Sequence, residues 1–195
     1  MTGKKNIGAS VALCPTPLAL CGTYDAGGKP NLATLAWVGV CCSTPPAVQI
    51  SLQRPRYTYE AILDKREFTV NIPSEKQAKA ADFCGLVSGR SVDKFASAGL
   101  TQRRGEFVNA PVVNEFPICM ECRVINVLEL GSHVLFVGEI LASWVSEDCL
   151  GSGGNADPSL VAPLLYSPIG HSYYGMGSRV GGAFDIGKTL IEGEK

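Results

Sequence analysis

Histidine is scarce in this sequence, with only His133 and His171 among 195 residues. No His-x-x-x-His pair or local histidine–carboxylate triad can be built from them, so a metallohydrolase or serine hydrolase lacks its parts. No metal site is expected. Charge is sparse as well: charged residues make up 18% of the chain and the formal net charge is -1. Without a basic field or a local Lys/Arg cluster, nucleic acid is not an expected partner. No apolar run is long enough to span a bilayer, and the run after Lys4 and Lys5 is broken by Gly8, Ser10 and Pro15. That is a poor signal peptide, so the expectation is a soluble, cytoplasmic protein that does not contact membrane. A Gly-x-Gly-x-x-Gly opening a βαβ unit is missing too, which removes a Rossmann dinucleotide site. Repeats, low-complexity tracts and linker-like composition are absent. Residues 1–195 therefore read as a single domain, long enough for a full core.

Cysteine, by contrast, is plentiful. The eight thiols at 14, 21, 41, 42, 84, 119, 122 and 149 mostly fall inside apolar strands. A free Cys there behaves as a small buried hydrophobe. Cys119-Met120-Glu121-Cys122 has redox or zinc spacing, but on a strand side chains three apart point to opposite faces. The pair reads as core thiols. Cys41 and Cys42 read as packing residues, although one could lie near a redox ring. Gly182 to Thr189, GAFDIGKT, fits the P-loop pattern. Six residues after Thr189 are too few for the helix and parallel sheet that a phosphate-cradling loop requires, so nucleotide hydrolysis is not expected.

Along the chain, Leu18–Tyr24 reads as a strand and residues 25–30 as a Gly/Pro hairpin loop. A strand from Asn31 to Cys42 follows, and the paired prolines 45 and 46 turn the chain. Further strands are expected at Val48–Leu52, Glu67–Ile72, Val112–Phe116, Ile118–Leu130 and His133–Val145. Helices are expected at Tyr59–Lys65, with Ile62 and Leu63 inward, at Ser74–Phe83 with a capping box, and at Val92–Ala98 before Gly99. Gly85 is expected just past the second helix. Residues 150–158 read as a mobile Gly-rich loop, and the Gly-punctuated apolar tail from Leu160 as docking on the barrel or on a partner subunit. Strands in meander order favour a mainly β protein, an antiparallel barrel with peripheral helices.

Two stretches invite a ligand. Asn31 to Trp37 alternates poorly, so both faces of that strand should be covered. Ala33 and Ala36 flank Thr34 and leave room for a flat molecule, with Trp37 adding an aromatic plane. Ser51, Arg54, Arg56 and Thr58 fall within eight residues at a strand end leading into a helix, and Asp93-Lys94 opens another helix. Helix N-termini with cationic side chains attract phosphate. His133 begins a strand and could sit over a ligand, and Tyr173-Tyr174 could edge a pocket.

Five stretches, Asn31–Trp37, Cys42–Pro46, Ser51–Tyr59, Phe68–Pro73 and Ser88–Phe95, with Glu129–His133 and the glycine-rich tail, together resemble the flavin reductase-like family, most closely its flavoredoxin branch. The resemblance runs in order over nearly the whole chain. It implies an FMN-binding split barrel, usually a homodimer with a flavin at each subunit interface, and redox chemistry carried by the flavin. By position, Asn31, Thr34, Ala36 and Trp37 would line the isoalloxazine, with Cys42 and Ser43 near its edge. Ser51, Arg54, Thr58 and Lys94 would lie near the ribityl phosphate, Arg56 pointing to solvent. His133 would face the ring or the electron donor as the candidate catalytic residue. The implied activity is oxidoreduction between NAD(P)H or an iron–sulfur protein and the flavin. The alternative is a non-catalytic barrel that binds FMN or another small ligand.

Overall fold

Two strands of thirteen residues form the longest hairpin, β9 (Ile118–Leu130) and β10 (His133–Val145), in the computed structural model, which describes residues 3–192. Gly131 closes the turn at φ +51°, a left-handed conformation in which glycine carries no Cβ penalty. The remaining strands of this sheet are β2 (Ala19–Tyr24), β3 (Pro30–Leu35), β4 (Val38–Ser43), β5 (Pro46–Leu52) and β6 (Glu67–Ile72). The sheet order is β3-β2-β6-β9-β10-β5-β4, and every neighbouring pair is antiparallel.

The two edge strands of that sheet, β3 and β4, are consecutive in the chain and separated only by Ala36 and Trp37. So short a connection forces the sheet to curl until its edges approach, and the Ser51 N–H donates to the Trp37 carbonyl (2.9 Å), which ties the bend to β5. This is the split barrel expected from the sequence. It also explains why residues 31–42 are two strands rather than one: a bend at Ala36-Trp37 turns the chain from one edge to the other.

Both faces of β3 are covered. Ala33 and Leu35 join Cys21, Ile50, Phe68, Val70, Cys122 and Phe136 inside the barrel. Leu32 joins Leu18, Leu20, Ala81, Cys84, Phe95 and Val113 beneath two helices, α2 (Ala78–Leu86) and α3 (Lys94–Ala98). Cys119 and Cys122 are both buried, and burial pushes their thiols up, Cys119 to about 12. They are packing residues, not a dithiol site. The first helix, α1 (Tyr57–Lys65), starts two residues earlier than expected; Ile62 is buried but Leu63 is exposed. The Ser74–Gln77 capping box is present on a 3-10 turn that leads into α2, and Gly85 lies within α2, not after it.

A small two-stranded sheet, β7 (Gln102–Arg104) with β8 (Pro111–Val113), replaces the expected Val112–Phe116 strand. The tail does dock: after α4 (Pro158–Val161), β11 (Leu165–Ser167) and β12 (Ser172–Tyr174) form a three-stranded sheet with β1 (Thr16–Pro17). No strand feeds the 182–189 stretch; Lys188 opens a short helix, α5 (Lys188–Glu192), and pairs with Asp185 at 3.2 Å. That is not a P-loop context. Among the described residues, no helix is long and apolar enough to cross a membrane.

Candidate functional site

The Ala36-Trp37 bend borders a cavity of about 880 Å³. Its floor is β3 and the Ala36-Trp37 bend, and one wall is the β5–α1 connection. The opposite wall is the C-terminal half of α2 with residues 87–89, and the far rim comes from β11, β12 and the turn between them.

One end of the cavity is cationic. The N-cap residue of α1 is Arg56, whose side chain makes no capping hydrogen bond; the Tyr59 amide turns back to the Arg56 carbonyl (3.0 Å), which leaves the Tyr57 and Thr58 amides for another acceptor. Arg56, Tyr57 and Thr58 all line the cavity. Beside them Lys94 is buried, its Nζ donating to the carbonyls of Leu32 (2.6 Å) and Cys84 (2.7 Å). Burial lowers the Lys94 pKa from 10.5 to about 8, with Cys84 opposing and the nearby Arg56 charge adding to the depression. Asn31 is buried there too; its Nδ2 donates to Thr58 Oγ1 (2.8 Å), while Oδ1 has no partner among the described residues. A Cβ on Gly89 would collide with that oxygen, so only glycine lets the 87–91 loop close over Asn31. The loop is held by Lys29 Nζ on the Gly89 carbonyl (3.0 Å) and by Arg90, which lies over the Tyr57 ring and donates to the Pro55 carbonyl.

The other end is aromatic. Thr34 donates to the Ala81 carbonyl (2.6 Å), and Gly85 packs on Thr34. The rings of Trp37 and His133 are nearly parallel, 11° apart in plane and 6.2 Å between centroids. Across the cavity, Tyr173 donates to Asp82 Oδ1 (2.7 Å), and Tyr166 Oη lies 2.9 Å from His171 Nδ1. Burial and then the Asp82 bond push the Tyr173 hydroxyl far above its ordinary value.

The cavity brings together Asn31, Thr34, Ala36, Trp37, Ser51, Thr58, Lys94 and His133. It does not include Cys42, Ser43 or Arg54. Cys42 and Ser43 end β4 at the exposed hairpin, with Cys42 Sγ donating to the Thr44 carbonyl (3.4 Å). Arg54 pairs with Glu129 at 2.8 Å, so Arg56, exposed to solvent as expected, is nevertheless the arginine that lines the cavity. Starting α1 at Tyr57 reverses the two arginines, because it makes Arg56 the helix cap. Sequence reasoning also missed Asp82, Tyr166 and His171, which lie far along the chain from β3. The one available signal was the aromatic pair at Tyr173-Tyr174, half of which lines the rim.

Comparison with known proteins agrees with this architecture. A flavoredoxin of Desulfovibrio vulgaris (Miyazaki F) is 43% identical with a TM-score of 0.91, the match covering 95% of this chain and 100% of that one. A flavoredoxin from Methanosarcina acetivorans is 36% identical with a TM-score of 0.90, covering 97% and 100%. The reductase component of a 4-nitrophenol 4-monooxygenase/4-nitrocatechol 2-monooxygenase from Rhodococcus opacus is 35% identical over 114 residues, 58% of each protein. Relatives from Archaeoglobus fulgidus and Aeropyrum pernix extend beyond the match, which spans 64% and 54% of their lengths. The family model of the flavin reductase like domain matches residues 11–174, and the chain belongs to the flavin reductase-like family.

Proposed function

We propose that the protein binds FMN in this cavity and works as an oxidoreductase of the flavin reductase/flavoredoxin type, exchanging electrons between NAD(P)H or an iron–sulfur protein and the flavin. The observation that carries this reading is the convergence of Arg56, Lys94 and the uncapped start of α1 on one end of the cavity. The only carboxylate among its lining residues, Asp82, lies at the other end. A phosphate supplies what two cations and free helix amides lack. Beyond it, the unpartnered Asn31 oxygen under the Gly89 loop and the Ser51 hydroxyl suit a polyhydroxylated chain. The small-residue strip at Ala33 and Ala36, with Trp37 and His133, suits a tricyclic ring.

When bound, FMN would accept and return electrons, in pairs with a hydride donor and singly with an iron–sulfur protein. The residues of this chain that would hold it are Arg56, Thr58 and Lys94 at the phosphate, Asn31 and Ser51 along the ribityl chain, and Thr34, Ala36 and Trp37 against the ring. His133, stacked near Trp37 at the cavity, would lie beside the ring as the candidate catalytic residue. Residues Cys42, Ser43 and Arg54 drop out of this assignment. The test is direct: the purified protein should be yellow, with close to one FMN per chain, and should oxidise NAD(P)H or accept electrons from a reduced iron–sulfur protein. Colourless protein that fails to take up added FMN would reject the reading, whereas tight FMN without electron exchange would favour a carrier without catalysis.

A further inference from the structure

The pair formed by Tyr166 and His171 is unused by the reading above. Both residues line the cavity. Tyr166 is half-buried on β11, while His171 is exposed at the rim, in the turn between β11 and β12. His171 holds φ +47°, a left-handed conformation uncommon for a residue with a Cβ. The turn keeps it there through Gly170 N–H on Ser167 Oγ and Ser172 Oγ on the Gly170 carbonyl. The result places an imidazole with one nitrogen 2.9 Å from the Tyr166 hydroxyl and the rest of its ring in water.

We infer that Tyr166 and His171 form a proton relay between solvent and the cavity, serving the flavin reaction of the proposed function on which this inference rests. Hydride transfer to a flavin brings two electrons and one hydrogen; full reduction takes one more proton from water. In the relay the Tyr166 O–H bond breaks as its proton passes to the acceptor in the cavity. His171 Nδ1–H replaces that proton on the tyrosine oxygen, and His171 Nε2 takes one from water. Both side chains end neutral, the imidazole in its other tautomer, and the exposed ring resets by exchange with water. Net, one proton has crossed.

The groups around the pair support this division of labour. Tyr173, 5.8 Å from Tyr166 between ring centroids, spends its proton on Asp82 and stays protonated, so it is a fixed hydrogen-bond donor and no relay. Asp82 is occupied by that bond. Among the described residues lining the cavity, the Tyr166 hydroxyl joins the half-buried wall to the solvent-facing His171 ring.

The test compares wild type with Tyr166→Phe and with His171→Asn, asparagine being tolerant of the left-handed backbone. FMN affinity and the equilibrium reduction potential should stay within about twofold and unchanged, respectively, since a relay alters rate and not equilibrium. Reduction by dithionite, which donates electrons without hydrogen, should slow by roughly tenfold or more in both variants, at the low end of acid–base contributions. Free imidazole should restore His171→Asn and not Tyr166→Phe. Nitrogen NMR of the flavin-free protein should show the His171 tautomer balance shifting in Tyr166→Phe. Unchanged reduction rates in FMN-loaded variants, or a loss that imidazole does not restore, would overturn the relay. Failure of wild type to bind FMN would reject the underlying reading instead.

Discussion

At the scale of single residues, Arg54 and Arg56 make a paired experiment, because they are two residues apart and only Arg56 lines the cavity. Arg54 is committed to Glu129 on an exposed surface, where an ion pair contributes little. Arg56 stands at the uncapped start of α1 beside Lys94. A charge-assisted hydrogen bond contributes roughly 1.5–3 kcal/mol, one to two powers of ten in affinity. Arg56→Ala should therefore weaken FMN by about that factor and leave riboflavin almost untouched, while Arg54→Ala should change neither; titration of both flavins against each variant reads the difference. Lys94 adds a pH dependence. Its proton is held less tightly than in water, so between about pH 8 and 10.5 the flavin-free protein carries it increasingly neutral. Binding a phosphate dianion draws the proton back, so FMN affinity should fall as pH rises through 8 while riboflavin affinity does not follow. A pH-independent ratio of the two affinities would separate Lys94 from the phosphate. The difference between the arginines was not legible in the sequence. It turns on where α1 begins, and Tyr57-Thr58 carries no marker to set that start against Tyr59.

Among the elements, those specified by local chemistry were legible to the residue. Strand β6 and the hairpin of β9 and β10 have the expected ends, because β-rich runs are bounded by Arg66, Pro73 and the Gly131-Ser132 turn. The bend at Ala36-Trp37 was not, since it contains neither glycine nor proline and is imposed by closure of the sheet. Strand β7 was missed because Gln102-Arg103-Arg104 is polar; what holds it is a buried carboxylate far away. Glu121 on β9 accepts from the Phe107 and Val108 amides (2.6 and 3.1 Å) and from the Trp144 indole (2.7 Å), pinning the loop that joins β7 to β8. Burial alone would raise its pKa, but those donors together with the Glu106 amide outweigh it and leave the carboxyl below its ordinary 4.5. A depressed carboxyl adds stability above its unfolded value and loses it as pH falls through the folded one. Stability should thus decline below about pH 4.5 in wild type. Glu121→Gln should lose roughly 2–3 kcal/mol at neutral pH, the scale of a charge-assisted bond, and show a flatter acid limb in denaturant titrations. Equal acid sensitivity in the variant would remove Glu121 as the cause.

For the whole molecule, the resemblance carried more than any local pattern, because order along the chain encodes which edges meet. Assembly belongs to this scale. Ile7, Val11 and Leu13 before β1, and Val180, Phe184, Ile186 and Leu190 after β12, stand well out in solvent, Val180 at 94% and Phe184 at 99% exposure. Scattered exposed apolar residues are ordinary, but a run of them on the two stretches flanking the small sheet suits an interface. A homodimer, which the family resemblance implies, would cover them. Burying a side chain of this size is worth about 1.5–3 kcal/mol, so replacing Phe184 and Val180 with Asp should raise the dimer dissociation constant by at least about a hundredfold. Sedimentation equilibrium on wild type and the double variant reads this directly, with circular dichroism as the check that the fold survives. A wild type that stays monomeric at tens of micromolar would remove the homodimer. A dimer indifferent to both aspartates would move its interface elsewhere, to the exposed face of β9 at Ile125, Leu128 and Leu130.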